Sequence, residues 1–112
     1  MRLQDIKVQL EAEQVAGSPR PELEIKEACA ADLMSDVLAS ARPGSLLLTG
    51  LTHPQAVRVA ALASLAAVVF VQGKEPLRDT LVAAEESGLP LFVTQLSLFE
   101  SCGRLYQAGL RG

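Results

Sequence analysis

Tryptophan is absent, histidine occurs once (His53), and the two cysteines, Cys29 and Cys102, lie far apart in the chain. A tetrahedral metal site needs more ligands than these residues supply. A disulfide scaffold is normally cysteine-dense. Two buried thiols in a reducing cytosol are therefore the expectation, with no metal and no cofactor. Aromatic residues make up only 4% of the chain, which leaves no platform for stacking bases. The lysines and arginines are scattered singly, as at Arg2, Lys7, Arg20, Lys26 and Arg42. Nucleic-acid binding is not expected from such a pattern.

Long apolar segments are missing too. The longest, from Ala56 to Val71, is interrupted by Arg58 and Ser64 and is too short to span a bilayer. The opening residues Met1-Arg2-Leu3-Gln4-Asp5 carry no signal-type apolar run. The expectation is a soluble, cytoplasmic protein with no membrane association. Known phosphate-binding fingerprints also fail. Gly73-Lys74 has Val68 where a phosphate-binding loop needs its earlier glycine, and Glu75 where that loop needs Ser or Thr. No dinucleotide Gly-x-Gly-x-x-Gly pattern occurs.

What remains is 112 residues, 49% hydrophobic and 21% charged, with a net charge of −3. This composition suits one folded domain over residues 1–112. Leu3, Ile6 and Leu10 recur at helical spacing, so a short helix opens the chain. Glu11 to Val15 reads as a brief strand, and Gly17-Ser18-Pro19-Arg20-Pro21 as a loop. Leu23-Glu24-Ile25-Lys26 alternates like a half-exposed strand that runs on towards Cys29. Asp32 is placed to cap a helix over Leu33–Ala39, which Arg42-Pro43-Gly44 ends.

From Ser45 the pattern becomes regular. Ser45–Thr49, Ala67–Val71 and Leu89–Thr94 are continuous apolar runs of strand length, suited to parallel strands covered on both faces. Helix-length segments alternate with them. Pro54 and Pro76 fit first helical turns, with Thr52 or His53 as cap of the first of these helices. Gly88 closes Leu77–Ser87, Ser97 and Glu100 form a capping box, and Gly109 ends the last helix. The expected fold is α/β: a three-layer domain with a parallel βαβαβα core, preceded by a small N-terminal helix-strand-strand-helix section.

Three short turns would then emerge on one edge of the sheet, where open α/β folds hold ligands. They supply the candidate ligand-binding residues Thr49, Gly50, Thr52, His53, Gln72, Gly73, Lys74, Thr94, Gln95 and Ser97. Small residues admit backbone amides to a ligand, and helix N-termini favour anions. A nucleotide, phosphate or carboxylate is the matching chemistry. The structural alternative is that Thr52 and Ser97 only cap helices while Gly50 and Gly73 only permit tight turns. His53 has no nucleophile to pair with, so capping is favoured over catalysis and no catalytic residue is assigned. Asp32 and Asp36 make too weak a pair for a cation. Cys102 is grouped with Phe99, Leu105 and Tyr106 as a core stripe.

Gln55–Leu65 is apolar most of the way round, as in a helix buried on more than one side. A second subunit covering it, in a homodimer, is the expectation. The alternative is coverage by the N-terminal section of the same chain. Gly103, inside the last helix, points to a close helix crossing.

The segments Asp32–Ala39, Leu48-Thr49-Gly50, Leu89–Thr94 and Phe99–Leu105, in this order over nearly the whole chain, resemble DRTGG-domain proteins. Leu51 stands where the naming motif has its second glycine, and no arginine follows Asp32 or Asp36. The resemblance implies a regulatory or dimer-forming module of the kind found beside CBS domains in regulated pyrophosphatases and within phosphotransacetylases. It also implies a fold similar to the N-terminal domain of the HPr kinase/phosphorylase. Kinase activity does not carry over, because the phosphate-binding loop is missing. The expected function is thus a non-catalytic, homodimeric, ligand-sensing module that binds a small anion, such as a nucleotide, or docks on a partner enzyme. The alternatives are a ligand-free interaction subunit and a small enzyme using His53 with Thr49 or Lys74.

Overall fold

The computed structural model describes residues 1–112. The elements run α1 (Leu3–Gln9), β1 (Glu13–Ala16), β2 (Ala28–Ala30), α2 (Met34–Ser40), β3 (Leu46–Thr49), α3 (Pro54–Leu62), β4 (Ala67–Phe70), α4 (Arg78–Ser87), β5 (Leu91–Val93) and α5 (Leu98–Gln107). They build one five-stranded sheet in the order β1-β5-β4-β3-β2. β2, β3, β4 and β5 are parallel, and β1 joins β5 antiparallel.

The continuous apolar runs are explained by burial on both faces, since side chains alternate across a strand. Leu47, Val68, Phe70 and Leu91 pack on one side beneath α2, α3 and α4. Leu46, Leu48, Val69 and Phe92 pack on the other beneath α1 and α5, against Leu3, Ile6, Leu10 and Leu105. The two cysteines divide the same way, Cys29 to the first side and Cys102 to the second, and both are free thiols. No helix is long and apolar enough to cross a membrane.

The α/β architecture, the parallel core and the N-terminal helix-strand-strand-helix order are as expected. The two strands of the N-terminal section, β1 and β2, add to opposite edges of the one sheet. Leu23–Lys26 does not form a sheet strand. Glu24 makes only an isolated antiparallel bridge to Arg2, closed by the Leu3 amide donating to the Leu23 carbonyl and the Ile25 amide to the Met1 carbonyl. The strand begins at Ala28.

The α3 helix is shorter than expected, ending at Leu62, with the chain reversing through Ser64 at φ +56°. Its inward apolar face is covered within the chain, while Ala61 and Leu62 near its end stay exposed. Ala56, Val57, Val59 and Ala60 are buried between the sheet and the flanking helices α2 and α4. Coverage of this helix comes in part from α2 of the N-terminal section, and a second subunit is not needed to explain it. Gly88 ends α4 at φ +75°, as its position implied.

Candidate functional site

The parallel order brings the C-terminal ends of β2, β3, β4 and β5 side by side, with the N-termini of α3, α4 and α5 at the same rim. The three expected turns lie on it, joined by a fourth from β2 that carries Asp32. Asp32 is not the cap of α2. Leu33 takes that position with extended backbone and no side-chain cap bond. The Asp32 carboxylate turns instead to the neighbouring strand, where one oxygen accepts from the Gly50 amide at 2.7 Å and from the Thr49 hydroxyl at 3.1 Å.

β3 and β5 end with the same device. Thr49 and Thr94 are buried, and each hydroxyl oxygen accepts from the amide two residues on, Leu51 at 3.1 Å and Leu96 at 3.2 Å. Each also donates onward, Thr49 to Asp32 and Thr94 to the Leu10 carbonyl at 2.5 Å. Both hydroxyls are thereby engaged inside the protein, and these residues shape the turns rather than face outward. β4 lacks such a threonine. There the chain reverses through Gln72 (φ +61°) and Gly73 (φ +65°), a left-handed pair that only glycine adopts without cost at the second position.

Long side chains lace the turns together over the glycines. A Cβ on Gly50 would lie 3.1 Å from the Lys74 ammonium and 3.5 Å from an Asp32 carboxylate oxygen. A Cβ on Gly73 would lie 2.4 Å from the Gln95 amide oxygen. Asp32 and Lys74 thus both approach the open Cβ position of Gly50, yet Lys74 forms no ion pair. Lys74, Gln72, Gln95 and His53 are exposed. Cavities of about 100 and 270 Å³ lie elsewhere, on the two faces of edge strand β2.

Of Thr52 and His53, it is His53 that holds the α3 cap position, through its backbone and with no side-chain bond. The Thr52 carbonyl instead accepts from the Thr80 hydroxyl at 2.6 Å and the Leu77 amide at 3.2 Å, fastening the β3 turn to the start of α4. Ser97 does cap α5, accepting from the Glu100 amide at 3.1 Å. The Glu100 carboxylate completes no box, because it bonds Arg104 at 3.2 Å. The core stripe on α5 also differs: Ser101 and Leu105 face the sheet while Phe99 and Tyr106 face outward. Burial pushes the Cys102 thiol up from its ordinary range, which keeps it protonated and unreactive at neutral pH.

Asp32 is the rim residue that sequence reasoning placed in another role, since its partners Thr49 and Gly50 become visible only once β2 and β3 are paired. Asp32→Ala should destabilise the domain by about 1–3 kcal/mol, because it strips the acceptor from a backbone amide and a buried hydroxyl. Urea denaturation would measure this. Loss of less than about 0.5 kcal/mol would mean water replaces the carboxylate without penalty.

No family model matches the chain, and no curated protein does. Among solved structures, a similar one is the crystal structure of the CBS and DRTGG domains of the regulatory region of Clostridium perfringens pyrophosphatase, complexed with its activator diadenosine tetraphosphate. The match has a TM-score of 0.77 at 14% identity, over 96% of this chain and 46% of that one. The chain therefore spans about half the length of that structure. At this identity the likeness is one of fold. The chain has the α/β fold of a DRTGG-like domain.

Proposed function

We propose that this chain is a non-catalytic regulatory module that works as a homodimer and senses a small anionic ligand, a nucleotide, on the rim formed by the β3, β4 and β5 turns. The observation that carries the reading is the unpaired Lys74 ammonium beside Gly50, with the exposed Gln72 and Gln95 side-chain amides and three helix N-termini around it. Fixed partial positive charge and one free ammonium suit a phosphate. The solved neighbour, a regulatory region complexed with a dinucleotide activator, adds support from a protein of the same fold. Lys74 and Gln95 are side chains that can lift from the glycines to admit and grip a ligand. Regulation of a partner enzyme is the natural output of such a module.

Thermal shift against nucleotides, dinucleoside polyphosphates and phosphorylated metabolites tests this. A ligand at a hundred times its dissociation constant should stabilise by about 2.7 kcal/mol. Lys74→Ala should then weaken binding by about tenfold, the loss of one exposed charge-assisted contact, while leaving the unliganded midpoint unchanged. If no compound shifts the midpoint, the ligand-free interaction subunit takes precedence, a reading favoured by the exposed Phe99 and Tyr106 on α5. The enzyme reading requires a turnover that His53→Ala abolishes. His53 is exposed and makes no side-chain hydrogen bond that would orient it as a base.

A further inference from the structure

We propose a second binding site apart from the rim: a cleft between α1 and the loop after β1 that takes a small organic anion, an oxyanion carried on an apolar body. It stands independently of the ligand reading at the rim.

The cleft has a volume of about 310 Å³, within the size range of small-molecule sites. None of the rim candidates lines it. Its floor is apolar, formed by Leu3 of α1 and Phe92 of β5, both almost fully buried. Leu3, Gln4 and Lys7 lie three and four residues apart on α1 and so share a face, which makes one wall. Across from it, Gln14 pairs with Phe92 between β1 and β5, which sets both side chains on the same side of the sheet.

The second wall is fixed by its own hydrogen bonds. The Gln14 side-chain amide donates to the carbonyls of Ala16 at 3.1 Å, Gly17 at 3.3 Å and Ser18 at 3.1 Å. The Gly17 amide donates to the Glu85 carboxylate at 2.9 Å, and the Ser18 amide to the Gly88 carbonyl at 3.2 Å. Pro19 and Pro21 restrict the rest of the loop. The Pro21 carbonyl accepts from the Gln4 amide at 3.0 Å, tying the loop to α1. A cleft held in this way needs little ordering when a ligand enters.

Charge selects the ligand. Lys7 and Arg20 line the cleft, and no carboxylate does. Neither cation forms an ion pair. The acids nearest to them in sequence are committed elsewhere: Asp5 and Glu22 to Arg2, Glu24 to the N-terminal ammonium, and Glu11 to Arg104. In a chain of net charge −3, two cations are thus left uncompensated on one cleft. The guanidinium offers a planar fork to carboxylate or phosphoryl oxygens, and the ammonium adds a point charge. Leu3 and Phe92 beneath them receive the apolar body.

Amide-resolved NMR titration of the full chain with phenyl phosphate, with benzoate and with neutral benzyl alcohol tests the site. At least one of the two anions should give saturable shifts at residues 4–7, 14–20 and 92, and the tighter of them identifies the oxyanion. Benzyl alcohol should bind at least about tenfold more weakly. Lys7→Ala and Arg20→Ala should each weaken the tighter anion by about tenfold, and the double variant by about a hundredfold. Gln4→Trp keeps both cations but fills the cleft, and should weaken binding by about tenfold or more. All three side chains are exposed, so circular dichroism and melting should stay as in the wild type. No saturable shift at about 20 mM of either anion overturns the site. Equal binding of benzyl alcohol overturns the choice of an anion. A Gln4→Trp protein that binds like wild type places the anion on surface charge alone and overturns the cleft. Shifts confined to the rim turns overturn this site and leave the rim reading standing.

Discussion

Ala60→Glu should unfold the domain or lower its melting midpoint by more than about 15 °C. Ala60 has no solvent exposure and sits in the last turn of α3, within the buried cluster that the helix shares with the sheet and its helical neighbours. Its apolar surroundings hold no basic group with which a carboxylate could pair. Burying an unpaired charge costs several kcal/mol even after relaxation, and the added volume in a tight interior costs about 1–3 kcal/mol more. A domain of this length is stable by only about 5–15 kcal/mol. Leu62→Glu, two residues on at a site 77% exposed, is the matched control and should be close to neutral. Circular dichroism with thermal melting reads both. A folded Ala60→Glu protein with a near-normal midpoint would mean that α3 does not pack as described.

Gly17→Ala should lower stability by about 3 kcal/mol or more. Gly17 follows β1 at φ +84°, and a Cβ there would lie 1.9 Å from the Leu89 carbonyl oxygen and 2.4 Å from its carbon. Both are backbone atoms that cannot swing aside. The left-handed conformation alone costs an L-residue about 1–2 kcal/mol. The overlap forces β1 away from β5, just beyond the register irregularity between Gln14 and Ala16. Gly44 provides the comparison, with nearly the same φ (+83°) and nothing within 4 Å of its Cβ position. Gly44→Ala should show the conformational part by itself, about 1 kcal/mol. Equal losses at the two sites in urea denaturation would remove the close approach of Gly17 to Leu89 from the description.

These two sites illustrate what can be read from the chain and what cannot. The strands β3, β4 and β5 are legible because strands covered on both faces need uninterrupted apolar runs; Pro54 marks where β3 hands over to α3, and Gly88 and Pro90 where α4 hands over to β5. The gathering of the three turns follows directly from parallel order. By contrast, the positions of β1 and β2 on opposite edges are fixed by long-range pairings, such as Glu13 with Val93, which leave no local trace. Asp32 looks like a helix cap because its neighbours in sequence are helical, while its hydrogen-bond partners lie seventeen and eighteen residues away.

Helical spacing identifies a face without saying which face is buried. Phe99, Cys102 and Tyr106 share a spacing that suits a core stripe, yet the inward positions include Ser101, whose hydroxyl is buried without a partner. The apolar character of α3 was legible, but not its covering. That comes from α2 and α4, whose inward residues Met34, Val37 and Ala84 leave room for close packing.

The decisive measurement is an amide-resolved NMR titration of the chain with a dinucleoside polyphosphate. Saturable shifts should concentrate at residues 49–53, 72–75 and 94–97, with Gly50, Gly73 and Gln95 among the largest. Shifts confined to the β2 cleft around Ala28, or no saturable shift in the millimolar range, would contradict a ligand-sensing rim.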